Sequence, residues 1–73
     1  MPKLPVISGA DAVKAFGHAG WRVDPQRGSH VVLLKDGHIA SLSVPQHREL
    51  APGTLRSLIR AAGISVEEFQ DLL

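Results

Sequence analysis

Apolar residues near the start of the chain recur at the spacing of one helix face. That stripe consists of Ala12, Val13, Ala15, Phe16 and Ala19. Ser8 precedes the stripe and Asp11 follows three residues later, an acidic variant of the capping box that starts many helices. Gly20 supplies a stop signal at the other end. The pattern predicts an amphipathic helix between Ser8 and Gly20 that buries one face.

Alternation of large apolar and polar residues replaces this helical spacing further along the chain. The segment "WRVDPQ" predicts a short strand with Trp21 and Val23 on one face, and Pro25 places that strand at an edge or ends it. Two longer runs, "SHVVLLK" and "HIASLSV", flank Asp36 and Gly37, a pair suited to a two-residue hairpin turn. Together these runs predict a three-stranded antiparallel sheet.

The hairpin turn also predicts a register, in which Lys35 lies opposite His38 and the pairs step back along both strands. One face then pairs Leu33 with Ala40, Val31 with Leu42 and Ser29 with Val44. The other face pairs Leu34 with Ile39, Val32 with Ser41 and His30 with Ser43. The first set is apolar enough to face the core. The second set is half polar, so we expect His30 on the open face of the sheet.

Two more helical patterns follow the polar connection "PQHRELAPG". The segment "TLRSLIRAAG" carries an apolar stripe and ends at Gly63, and "SVEEFQDLL" begins with a capping box formed by Ser65 and Glu68. The order α-β-β-β-α(-α) predicts an α+β fold with helices packed on one face of an antiparallel sheet. At 73 residues, the chain is expected to form a single domain over 1–73.

Composition narrows the class of protein without naming an activity. The chain contains no cysteine, so neither disulfides nor thiolate metal sites are expected. Its longest apolar runs fall far below the roughly 20 residues of a membrane span, and its first residues lack the apolar core of a signal peptide. We therefore expect a soluble, cytoplasmic domain with no membrane partner. The net charge of +1 permits a polyanionic partner without requiring one.

Several motifs in order along the chain resemble the HicA family of bacterial and archaeal toxins. They are "RGSH" at the start of a strand, "VPQH" at the end of the next strand, and "APGTLRSLIRAAGIS" as the following helix. The similarity as a whole extends from "KLPVISGADAVKAFGHAGW" to "EEFQDLL". The resemblance implies a double-stranded-RNA-binding-domain-like fold. It also implies an mRNA interferase of a type II toxin–antitoxin system, silenced in a hetero-oligomeric complex with a HicB-type antitoxin.

The same resemblance implies that the histidine of the glycine–serine–histidine motif is catalytic, which in this sequence is His30. Many family members continue that motif with a second histidine or an aromatic residue, whereas this chain has Val31 and Val32. A mechanism with two histidines in this one strand is therefore weakened. On the residues alone, the alternative is that His30 is an ordinary surface residue at a strand end.

RNA cleavage without a metal needs a base for the 2′-hydroxyl, charge stabilisation at phosphorus and an acid for the 5′-oxygen. Imidazole exchanges protons near neutral pH and fits either proton-transfer role. Gly28 lets the RNA backbone approach closely, Arg27 is predicted to contact phosphate, and Ser29 or Ser43 to orient it. No cofactor is expected.

The other histidines have weaker assignments. His47 follows the strand paired with that of His30, so it is either a second catalytic group or a polar loop residue. His18, in the last turn of the first helix, is predicted to be structural, and His38 is predicted to be solvated beside the turn. No metal-ligand spacing links these residues, so no metal site is expected.

Two further surfaces are predicted to bind partners. Arg56 and Arg60 lie four residues apart and form either a basic ridge that contacts RNA phosphates or a solvated helix face. On the open face, Val32, Leu34 and Ile39 form an apolar patch with His30. The patch is predicted to bind the antitoxin, which would then cover the catalytic histidine. The alternative is that other parts of the chain cover it.

Two other functions fit the same fold. A non-catalytic double-stranded-RNA-binding module would recognise duplex shape through its basic residues and would not need His30. A protein-interaction role, as in an inactive relative of the toxin, would need neither RNA nor His30. The hypothesis that the protein is a ribonuclease predicts that His30 is required for RNA cleavage.

Overall fold

The computed structural model describes residues 3–25 and 30–73. The elements follow one another in this order: α1 (Gly9–His18), β1 (Arg22–Val23), β2 (His30–Leu34), β3 (Leu42–Pro45), α2 (Pro52–Ala62) and α3 (Val66–Leu72). The strands form an antiparallel sheet in the order β1-β2-β3. This arrangement confirms the predicted α+β, double-stranded-RNA-binding-domain-like fold.

The ends of α2 and α3 lie at residue types that commonly start or stop helices. Helix α2 starts at Pro52, two residues before the predicted start, because proline at the first helical position gives up no hydrogen bond. It ends at Gly63, whose φ of 76° is the left-handed conformation that glycine adopts without strain. The predicted capping box of α3 is present: the Glu68 amide donates to Ser65 Oγ, and the Ser65 amide donates to the Glu68 carboxylate, both at 3.0 Å.

The register between β2 and β3 differs from the predicted one. The observed pairs are His30 with Pro45, Val31 with Val44, Val32 with Ser43 and Leu33 with Leu42. The predicted pairing of His30 with Ser43, and the pairs stepping with it, are therefore wrong by two positions on β3. Because side chains alternate with a period of two, an even shift preserves the faces. Leu33, Leu42 and Val44 are all fully buried, as the predicted core face requires.

The cause of the shift lies in the connection between these strands. A turn forms at Asp36 and Gly37, with Gly37 at φ 79°. The prediction that it closes a two-residue hairpin is wrong, because residues 35–41 connect the strands and the chain re-enters the sheet only at Leu42. His38 turns inward instead of extending the strand: its ring centroid lies 4.9 Å from that of Trp21, and its Nε2 lies 3.1 Å from the Ala61 carbonyl oxygen. His38 is therefore half-buried, in place of the solvated position that was predicted.

The core lies between the helices and the inner face of the sheet. Its largest fully buried side chains are Phe16, Phe69, Leu33, Leu42, Leu55 and Val44. Phe16 on α1 and Phe69 on α3 bring the two helices together, with ring centroids 5.0 Å apart. Trp21 is also buried, but Val23, predicted to share its face, is 46% exposed because β1 is a two-residue edge strand.

The N-terminus of α1 is packed directly against the chain that leaves β3. The Gly9 amide donates to the His47 carbonyl oxygen at 2.9 Å, and the Leu50 amide donates to the Ile7 carbonyl oxygen at 2.8 Å. Gly9 is buried, and a Cβ atom there would overlap the Pro45 carbonyl oxygen. Glycine is needed at this position because only a residue without a side chain permits so close a backbone approach.

Candidate active site

His30 is the first residue of β2, and its side chain is exposed. Leu33 in the same strand faces the core, so alternation places His30 on the opposite face, away from the helices. This is the open-face position that the sequence predicts. Strand β2 pairs with β3 from His30 to Leu33, and with β1 at Leu33 and Leu34. An accessible imidazole is thus presented at the end of a strand that pairs with β3.

Ser43 on β3 contacts the His30 ring, although it pairs with Val32 in the ladder. Its Oγ lies 3.4 Å from His30 Nδ1, a long and weak hydrogen bond whose donor depends on the imidazole tautomer. The contact joins diagonal neighbours on one face of the sheet. A ring engaged at Nδ1 directs its other nitrogen, Nε2, away from Ser43.

Three of the predicted RNA-binding residues cannot be placed in this geometry. Arg27, Gly28 and Ser29 lie outside the described residues, directly before His30 in the sequence. Their predicted roles stay predictions.

His47 is exposed and lies two residues beyond Pro45, the partner of His30 in the sheet. Its backbone is fixed, because its carbonyl oxygen accepts the hydrogen bond from the Gly9 amide. The imidazole of His47 is therefore carried by an anchored segment next to the strand pair of the candidate site. The fold brings the two histidine backbones to the same end of the hairpin. A catalytic role for His47 stays a prediction.

Arg56 and Arg60 are exposed on α2. Leu55 and Ile59 of that helix are buried in the same core as the inner face of the sheet, so α2 lies on the side opposite His30. The structure therefore places the two arginines in a different layer from the catalytic candidate. They are not arranged to contact the phosphate that His30 would cleave.

The predicted apolar patch is only partly present as expected. Val32 and Leu34 are half-buried on the open face. Ile39 is fully exposed, but it lies in the connection before β3 and does not pair with Leu34 as predicted. His38, its neighbour, is the residue that anchors this connection to the core.

Two residues have structural roles that bear on the site. His18 Nδ1 lies 2.8 Å from the Leu72 carbonyl oxygen, which confirms its structural assignment and ties α1 to the end of α3. The role of Gly9 was missed by the sequence interpretation. The available signal was a glycine in the first helical turn. Glycine in a helix has an entropic cost, so its presence there often indicates a packing requirement.

Residues 3–25 and 30–73 contain no group of three or more histidine, cysteine or acidic side chains that could hold a metal ion. Within the same part of the chain, no helix has the length and apolar character to cross a membrane. The donor atoms that the described site offers are imidazole nitrogen and serine hydroxyl oxygen, which move protons and form hydrogen bonds.

A family model described as HicA toxin of bacterial toxin-antitoxin matches residues 9–64, most of the chain. The chain belongs to the HicA toxin family. As a member of the HicA family, it is a toxin of a toxin–antitoxin system. A comparison with individual curated proteins gave no significant match.

The HicA match covers the elements that build the candidate site. It begins at Gly9, includes both strands that carry His30 and Ser43, and ends just after α2. Helix α3 follows the matched range, and its Phe69 completes the core against Phe16. The matched range therefore includes both Gly9, which packs on the end of β3, and the open face of the sheet.

Proposed function

We propose that this HicA family toxin is a metal-independent endoribonuclease that cleaves mRNA, with His30 as general acid or base. The observation that supports the proposal is the exposed His30 ring on the open face, with Nδ1 near Ser43 and the strand paired with β3. A proton-transfer group must reach the substrate without rearrangement of the core, and this position meets that need.

The proposed reaction is an intramolecular transesterification. A base takes the proton from the ribose 2′-hydroxyl, and the 2′-oxygen attacks the adjacent phosphorus. The bond from phosphorus to the 5′-oxygen breaks as that oxygen receives a proton from an acid. The products are a 2′,3′-cyclic phosphate and a 5′-hydroxyl. His30 Nε2 performs one of the two proton transfers, and His47 is the candidate for the other.

The remaining predicted contacts complete the proposal. Arg27 supplies positive charge to the phosphorane oxygens, Gly28 admits the RNA backbone, and Ser29 orients the phosphate. The predicted phosphate contacts of Arg56 and Arg60 are not part of this proposal, because both arginines lie in the layer away from His30.

The activity is tested by incubating the purified toxin with end-labelled mRNA in the presence of excess EDTA. We expect cleavage to continue and the fragments to carry cyclic phosphate and 5′-hydroxyl ends, identified by kinase labelling and mass spectrometry. Loss of activity in EDTA, or fragments with 5′-phosphates, would contradict the mechanism. Binding of duplex RNA without cleavage would support the non-catalytic RNA-binding module instead.

Ser43→Ala is expected to lower kcat several-fold while leaving KM nearly unchanged. The Ser43 hydroxyl contacts the ring of His30, so its loss leaves the imidazole less well oriented. The weak hydrogen bond that is removed contributes about 1 kcal/mol. Steady-state cleavage of a short RNA measures both constants. Ser41→Ala is the matched control, because Ser41 is exposed and precedes β3. Equal kcat values for the two variants would remove Ser43 from the site.

We also propose that a HicB-type antitoxin silences the toxin by covering the open face. His30 and the half-buried Val32 and Leu34 lie there together, so one bound protein excludes RNA from the imidazole. Ile39 projects from the adjoining connection with its side chain fully exposed. A large aliphatic side chain in that state is suited to insertion into a partner pocket.

Ile39→Asp is therefore expected to weaken antitoxin binding by about 2 kcal/mol, or roughly thirtyfold, because it places a charge in a dry contact. Isothermal titration of the antitoxin into each toxin variant measures the change. Val6→Asp is the control, since Val6 is also an exposed aliphatic residue but belongs to the segment before α1. If both variants bind as the wild type does, Ile39 is outside the interface.

A further inference from the structure

A second surface feature lies in the helical layer, on the side of the sheet opposite His30. It is a groove between α2 and the start of α3, lined by Arg56, Ile59, Arg60, Ile64, Ser65 and Val66. We call it the α2–α3 groove. Its lining combines aliphatic side chains with guanidinium groups, and no described residue that lines it carries a carboxylate.

The two arginines of the groove have a regular spacing. Arg56 and Arg60 are four residues apart on α2, so they lie on the same side of the helix, about 6 Å apart along its axis. Both side chains are exposed. Two acidic residues, Glu67 and Glu68, follow the groove, and both are exposed. The Glu68 carboxylate accepts a hydrogen bond from the Ser65 amide at 3.0 Å and is thus directed to the helix cap.

We propose that the α2–α3 groove is a docking site for an acidic amphipathic helix of a protein partner. An apolar stripe on that helix would pack on the aliphatic floor formed by Ile64 and Val66. Carboxylates spaced one turn apart would match the spacing of Arg56 and Arg60 and form bidentate pairs with them.

The side chains that line the groove favour this occupant over single-stranded RNA. Sequence-tolerant RNA sites combine positive charge with aromatic side chains on which bases stack, and the described lining of the groove has none. The groove also lies in the layer away from His30, so it is separate from the proposed cleavage site. The proposal goes beyond the nuclease function, because neither His30 nor the cleavage of RNA takes part in it.

The test uses NMR titration of the full chain with three probes. The first is a capped 15-residue amphipathic peptide with a leucine stripe and glutamates four residues apart. The second has the same stripe with lysines in place of the glutamates, and the third is a 12-nucleotide single-stranded RNA. We expect the acidic peptide to shift the amides of residues 56–66, and the lysine peptide to leave them unchanged.

Charge reversal then identifies the contacts. The double variant Arg56→Glu, Arg60→Glu is expected to bind the acidic peptide at least tenfold more weakly. Arg48→Glu, an exposed arginine outside the groove, is expected to bind it as the wild type does. Shifts that are absent from the groove, or equal for both peptides, would overturn the proposal. So would RNA-induced shifts of these amides that disappear in the double variant. RNA cleavage, assayed on the same proteins, reports separately on the nuclease proposal.

Discussion

Replacing His30 with alanine is expected to lower the rate of RNA cleavage by about 100- to 10,000-fold, the usual contribution of a positioned acid or base. The side chain is exposed at the first position of β2, so its removal leaves no cavity in the core. We therefore expect an unchanged circular dichroism spectrum and thermal midpoint. The measurement is kcat/KM on a short RNA, with wild type and variant purified in parallel to exclude a contaminating nuclease.

A second substitution separates proton transfer from simple contact. His30→Gln keeps a polar side chain of similar length but cannot act as an acid or base near neutral pH. We expect it to be as inactive as His30→Ala. If either variant cleaves at the wild-type rate, His30 is not the catalytic group. In that case His47→Ala is the decisive comparison, because His47 lies just beyond the strand partner of His30.

The order of elements was predictable because each depends on local signals. Apolar periodicity, the caps at Ser8 and Ser65, and glycine after α2 act within a few residues of one another. The register of the hairpin was not predictable in the same way. It depends on His38, whose ring leaves the strand to pack on Trp21 and reach the Ala61 carbonyl oxygen. Those partners are distant in sequence, and a turn dipeptide carries no information about them.

The open-face position of His30 nevertheless followed from the sequence. The register error was an even number of residues, so the side chains of β2 and those of Leu42, Ser43 and Val44 kept their faces. Ser43 was predicted to lie directly opposite His30, and it contacts the ring from the diagonal position instead. The separation of the helix arginines from His30 followed from the same two expectations, because the helices were predicted on one face of the sheet and His30 on the other.

The close packing of Gly9 against Pro45 could not be predicted from the sequence pattern. In an exposed helix, replacing glycine with alanine usually stabilises the protein by about 0.4–1 kcal/mol, because the unfolded chain loses conformational freedom. At Gly9, however, the added methyl group would meet the backbone of Pro45 and Gln46. A backbone carbonyl cannot rotate away as a flexible side chain does. The sign of the effect is therefore expected to reverse.

Gly9→Ala is expected to destabilise the fold by about 1–3 kcal/mol, the usual cost of overpacking. For a domain of this size that corresponds to a fall in thermal midpoint of about 4–8 °C for each kcal/mol. Relief of the overlap has to move α1 away from Pro45, which also lengthens the hydrogen bond from the Gly9 amide to the His47 carbonyl oxygen. Urea unfolding and thermal melting measure the change in stability.

Gly17→Ala supplies the matched control on the same helix. Gly17 is exposed, and a Cβ atom built there has no neighbouring atom within 4 Å. It is expected to leave the free energy of unfolding unchanged or to raise it by up to about 1 kcal/mol. The difference between the two variants isolates the contact with β3 from the general effect of alanine in a helix. If the two variants are equally stable, the close approach at Gly9 does not constrain the segment that carries His47.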